Sequence, residues 1–200
     1  MSKQQIRHII EQHSQRDGLT ETGIKGVQLF QATSAIPCVP AVYEPCAIAI
    51  VSGAKEAVLD GKRYVYDDSR YMCCPMSMPV KAGTPSASPQ TPLYGVLIAL
   101  DARLMAELSL EMESAGNLIP PAPGDLRAEG IKLAAWDDAF SDALLRLLQL
   151  GQSETDRAVL SDARLRELYY AILKGEAGVF ARRAFGAGNA VARAISHVAA

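Results

Sequence analysis

The sequence predicts an α+β fold in which a run of short strands is followed by a helical subdomain, and three observations carry that reading. Between Gly23 and about Leu100, short stretches rich in Val, Ile, Tyr and Leu are broken by Pro and Gly at close intervals. Asp60-Gly61 stands between two such stretches, and an Asp-Gly pair favours the two-residue turn of a tight hairpin. Beyond Trp136 the apolar residues switch to helical spacing, with Phe140, Leu144, Leu147 and Leu148 in one stripe and Leu165, Leu168, Tyr169 and Ile172 in another. Several short strands in succession indicate a sandwich or a barrel.

Taken in order, residues 4 to 16 place Ile6, Ile9, Ile10 and His13 on one side of a short helix that stops near Asp17-Gly18 and is expected to cover a sheet edge. The expected strands are Val27 to Ala32, Cys46 to Val51, Glu56 to Leu59, Arg63 to Tyr66, Tyr71 to Cys74 and Tyr94 to Leu100. The hairpin turn fixes register: Leu59 opposes Lys62, Val58 opposes Arg63, Ala57 opposes Tyr64 and Glu56 opposes Val65. Ala57, Leu59, Tyr64 and Tyr66 therefore share one face, and Glu56 and Arg63 the wetter one. Gly83 to Pro92, with three prolines and two serines, reads as an exposed loop. Asp101 suits the N-cap of a helix bearing Leu104, Met105, Leu108 and Met112, which the Pro120 to Gly124 stretch ends. Two packed antiparallel helices follow. Gly175 and Gly178 bracket the end of the second, Val179 to Phe185 add a further turn, and Gly186-Ala187-Gly188 punctuate the run.

At 200 residues the chain can bury a core without covalent staples. Cys38, Cys46, Cys73 and Cys74 have neither zinc-site spacing nor the pattern of a secreted scaffold, so a reducing cytoplasm is the expected setting. Met1 to Arg16 contains no signal-type apolar region, and no apolar run is long enough to span a bilayer. A formal net charge of -2 gives no footprint for gripping phosphates, so weak, unselective DNA binding is expected of this chain alone.

The chemistry-bearing residues are few. His8 and His13 lie five apart in the first helix and His197 near the end, so no histidine falls in the expected strands to hold a catalytic metal. Cys73 and Cys74, adjacent in a strand, should point to opposite faces as small core residues. No phosphate-cradling glycine loop and no Gly-x-Ser-x-Gly elbow occurs. Tyr43, Tyr64, Tyr66 and Tyr94 lie in or beside strands; with Cys46 and Ile48 they form the candidate lining of a small-molecule site, or else simply fill the interior. Glu44, before Pro45, is expected to be a strand-entry residue, and Trp136 to anchor the loop before the Phe140 helix.

Val42-Tyr43-Glu44-Pro45, Gly53-Ala54-Lys55, Tyr64-Val65-Tyr66-Asp67 and Met78-Pro79-Val80, followed by Leu97 to Asp101, the Phe140 to Leu150 helix and the Leu165 to Gly175 run, together resemble the N-terminal region of one subfamily of AraC-type transcriptional regulators. The resemblance covers roughly residues 20 to 200 and implies a cupin-like β-barrel that senses a small effector, a helical dimerisation subdomain and a double helix-turn-helix domain. It divides the chain into an N-terminal helix (1–20), the barrel (21–100), the helical subdomain (101–188) and the start of a linker (189–200) to a DNA-binding domain absent from this chain. The expected product is a homodimeric cytoplasmic regulator with an unknown effector, no cofactor, no metal and no membrane contact. Dimerisation is expected through the two C-terminal helices, where Leu145, Leu150, Tyr170 and Leu173 extend the apolar surface beyond one stripe. The competing reading is a cupin-type metal-dependent enzyme with an atypical site.

Overall fold

The structure, a computed structural model, describes residues 2–14, 16–119 and 130–186. Helix α1 (Ser2–His13) opens the chain. Nine strands follow: β1 (Gly18–Glu21), β2 (Val27–Ala32), β3 (Ile36–Tyr43), β4 (Cys46–Ser52), β5 (Lys55–Leu59), β6 (Lys62–Tyr66), β7 (Arg70–Cys74), β8 (Met78–Thr84) and β9 (Leu93–Ala99). Helix α2 (Ala102–Ser114), strand β10 (Lys132–Ala135) and helices α3 (Asp138–Gln149), α4 (Glu154–Lys174) and α5 (Gly178–Phe185) complete the order, with a 3-10 turn at Leu150–Gln152 between α3 and α4.

The strands form two antiparallel sheets, one ordered β1-β2-β9-β4-β7-β10 and the other β3-β8-β5-β6. The class is α+β as expected, with the cupin-like pair of sheets left open rather than closed into one barrel. Alternation along each strand sorts side chains between two cores. Cys46, Ile48 and Ile50 of β4 face the second sheet, and Ala47, Ala49 and Val51 face the helices. That double burial is why β4 reads as an unbroken apolar run. Cys74 and Cys73 of β7 divide in the same way, on opposite faces as the strand period requires.

The β5–β6 hairpin has the expected register at every rung, and its turn residues Asp60 (φ 50°) and Gly61 (φ 77°) both occupy the left-handed region that a type I′ turn needs. Asp101 caps α2 by accepting from the amides of Arg103 (2.9 Å) and Leu104 (3.0 Å). Asp137 caps α3 through the amide of Phe140 (2.8 Å), and Gly175 ends α4. Trp136 is buried edge-on against Phe140, 5.3 Å between centroids, and so anchors the entry to α3.

Several expectations need correction. Helix α1 covers no sheet edge: its isoleucines pack on α3 and on the central strands β4 and β9, because the middle of the sheet offers the larger apolar face. Four strands went unread, namely β1, β3, β8 and β10. Gly83 and Thr84 belong to β8 instead of an exposed loop, and both are buried. Strand β10 comes from beyond residue 100 and pairs with β7, so the sheet and the helices share one core across the expected boundary. Residues 120–124, 187–200 and His197 lie outside the described residues.

Candidate functional site

Most of the tyrosines read as a candidate lining gather between the two sheets. Tyr43 reaches this space from the end of β3 and Tyr66 from β6, where the hairpin register brings the ring inward beside Tyr64. Their hydroxyls lie 3.0 Å apart in a hydrogen bond shared between two buried side chains. Loss of water on burial pushes the Tyr43 phenol up to about 12 and holds the fully enclosed Tyr66 well above the ordinary tyrosine value. Cys46 and Ile48 of β4 line the opposite wall with Met72 and Cys74 of β7. Burial pushes the Cys46 thiol up to about 12 and raises Cys74 as well, so both sulfurs are protonated at neutral pH.

Five of the six candidate lining residues, Tyr43, Cys46, Ile48, Tyr64 and Tyr66, therefore meet in one interior. Tyr94 does not. It lies on β9 between the inward-facing Leu93 and Gly95, so the strand period turns it toward the helices, where Arg7 stands 5.8 Å from its ring.

Lys55 was not anticipated. It pairs with Tyr66 one rung beyond Glu56 and Val65, which puts it on the face of Ala57. Extending the hairpin register by that rung would have found it. The ammonium is half-buried above the Phe30 ring, 5.9 Å from its centroid, and desolvation lowers its pKa below the ordinary lysine value. Among the described residues no carboxylate lies within ion-pair distance of it. Nor is any Asp, Glu or His side chain buried among them.

Polar ties join the helices on the far side to the six-stranded sheet at β9 and at β10, where the Ala135 amide donates to the Glu176 carboxylate (2.8 Å). Tyr169 of α4 donates its hydroxyl to the Ala99 carbonyl at the end of β9 (2.5 Å) and accepts from the Asp101 amide (3.3 Å). Of the four residues expected at a dimer surface, Leu145, Leu150 and Leu173 are buried within the subunit, and Tyr170 stays 42% exposed. The helical stripes on α3 and α4 are wide because both helices pack on several neighbours at once. A separate groove of about 370 Å³ lies between α1 and the end of α3, lined by Gln4, Gln5, His8, Gln12, Gln149 and Gln152 over Ile9. His8 is engaged there with Gln12 (2.8 Å).

Among solved structures, an apo variant of ToxT from Vibrio cholerae strain SCE256 matches with a TM-score of 0.49 at 12% identity, over 78% of this chain and 55% of that one. Wild-type ToxT of the same strain with unsaturated fatty acid bound gives 0.46 at 10%, over 74% and 52%. ToxT from strain O395 bound to a methylnaphthalenyl butenoic acid gives 0.44 at 13%, over 73% and 58%. The chain thus spans little more than half the length of these proteins. Comparison with curated proteins finds no match. The sequence profile described as "AraC-type transcriptional regulator N-terminus" matches residues 23–180, which is most of the chain and includes strands β2 to β10 and helices α2 to α4. On that match the chain belongs to the family of AraC-type transcriptional regulator N-terminal regions.

Proposed function

We propose that this chain is the effector-sensing and dimerising part of an AraC-type regulator, with DNA contact supplied by a further C-terminal domain. The observation that carries the reading is the inter-sheet interior: an apolar enclosure with a buried phenol pair and a half-buried, unpaired ammonium as its polar handles. A small molecule entering it exchanges side-chain contacts for its own, and Tyr43, Tyr66 and Lys55 supply direction to otherwise non-directional burial. Cys46, Ile48 and Tyr64 give it walls.

The role is binding without catalysis. A cupin-type metal enzyme gathers histidines and a carboxylate inside its barrel, and the buried residues described here include neither. The four unbridged cysteines suit a reducing cytoplasm. No helix among the described residues is long and apolar enough to cross a membrane.

Dimerisation is proposed through the outer side of α4. Val159 (72% exposed), Ala163 and Tyr170 recur there at helical spacing, with Leu160 beside them. This moves the expected surface off Leu145, Leu150 and Leu173 and keeps Tyr170. A thermal-shift screen of small organic molecules tests the sensing role. An effector at 100 times its dissociation constant raises stability by about 2.7 kcal/mol. Replacing Tyr43 and Tyr66 together with Phe weakens that effector's binding; a shift unchanged in this variant and in Lys55→Met places the ligand elsewhere.

A further inference from the structure

The nucleophilic groups that face the inter-sheet space include a pair of thiols. Cys46 and Cys74 are directly opposite each other on neighbouring antiparallel strands, point to the same side, and carry free thiols. They form the outermost rung of that ladder, since Cys46 opens β4 and Cys74 closes β7. Beside them run the Glu44-Pro45 and Pro75 to Ser77 connections, joined where the Ser77 hydroxyl donates to the Glu44 carboxylate, and the Cys74 thiol donates to the Met76 carbonyl (3.1 Å). Met72, two residues before Cys74, adds a thioether to the same wall. The groups around the pair are a thioether and two protonated phenols, and burial, with a smaller contribution from the Glu44 carboxylate, holds both thiols protonated.

We propose that Cys46 and Cys74 form a two-coordinate site for a thiophilic dication at the rim of the inter-sheet interior. Directly opposed residues of an antiparallel pair hold their Cβ atoms about 4.5–5.5 Å apart, within reach of one ion set between two sulfurs. Soft sulfur donors without an imidazole or carboxylate in the wall select a soft ion. The balance of charge selects its valence. Each thiol loses its proton to solvent, two S–H bonds break, two sulfur–metal bonds form, and no electron is transferred. A dication exchanged for two protons leaves the site neutral, as an apolar enclosure demands, whereas a monovalent ion would leave a buried negative charge. As an effector class the proposal rests on the sensing role; as a binding site it needs only the two strands.

Mercuric ion is the probe, added at one equivalent to reduced protein free of other thiols. The expected result is one ion bound, two protons released per ion, a sulfur-to-metal charge-transfer band, and two sulfur neighbours by X-ray absorption. Cys46→Ala and Cys74→Ala each lose the two-sulfur signature. The double variant Cys38→Ala/Cys73→Ala keeps it, because Cys73 faces the helices and Cys38 lies on the other sheet. Should either single variant fail to fold, the double variant decides alone, since it leaves only the proposed pair. One sulfur neighbour in that variant, a two-sulfur signature surviving in Cys46→Ala or Cys74→Ala, or a metal-free disulfide in place of the complex overturns the proposal. An organic effector found by thermal shift leaves that outcome independent, so failure here and failure of the sensing role are told apart.

Discussion

The hydroxyl of Tyr66 has one partner, the hydroxyl of Tyr43, and its ring is fully enclosed while that of Tyr43 is 8% exposed. The asymmetry predicts that Tyr43→Phe costs more than Tyr66→Phe. The first strands an enclosed polar group at about 1–3 kcal/mol; the second leaves behind a hydroxyl nearer the surface. The double replacement should cost less than the sum, measured as a coupling of about 1 kcal/mol by denaturant unfolding. The same burial sets a pH dependence. The Tyr43 phenol is held up to about 12 against an ordinary 10.0, so its protonated form is the one the fold favours. That contribution is complete below pH 10 and is lost as pH rises from 10 to about 12. Denaturation midpoints should fall through that window, on top of the loss from the buried thiols that begins near their ordinary 9.0, and fall less steeply in Tyr43→Phe; a variant with an unchanged alkaline slope would falsify the assignment. Four tyrosines were legible as candidates from strand placement alone, but the face of Tyr94 depended on where β9 begins. Leu93 is its first residue and faces inward, so Tyr94 faces out.

At the scale of elements, what the sequence hid were strands containing residues that usually end strands. Strand β3 contains Pro37 and Pro40 and survives because it is an edge of its sheet, where a missing amide breaks no ladder bond on the open side. Strand β8 lies inside that sheet with Pro79 near its start and Gly83 near its end. Gly83 is there for space: a Cβ would stand 2.7 Å from the amide of Cys38, the carbonyl of Ile36 and the backbone of Pro37. Gly83→Ala should therefore force β3 away and cost about 1–3 kcal/mol, read as a lower denaturant midpoint. The hairpin and the α2 cap were legible because each depends on one or two adjacent residues. Removing the cap with Asp101→Ala frees two amides of the first turn and should cost about 0.5–2 kcal/mol; Asp101→Asn, which still accepts, should restore most of it. If Asn is no better than Ala, the carboxylate acts on the helix by charge alone.

Across the whole molecule, the width of the leucine stripes on α3 and α4 did not reveal which residues meet a partner, since packing of the described helices against one sheet already uses Leu145, Leu150 and Leu173. The proposed dimer is tested by light scattering at micromolar protein. Tyr170→Glu and Val159→Glu are expected to yield folded monomers, whereas Leu145→Glu is expected to unfold the subunit; a mass unchanged by both surface replacements places the interface off α4. Strand β9 has a consequence for how the protein melts. Leu93 and Leu97 are inserted into the space between the sheets while Val96 and Ile98 are inserted among the helices, so neither compartment can come apart and leave the other its wall. Calorimetry should accordingly record a single endotherm whose calorimetric and van't Hoff enthalpies agree, and the slowest-exchanging amides should be those that β9 shares with β2 and β4.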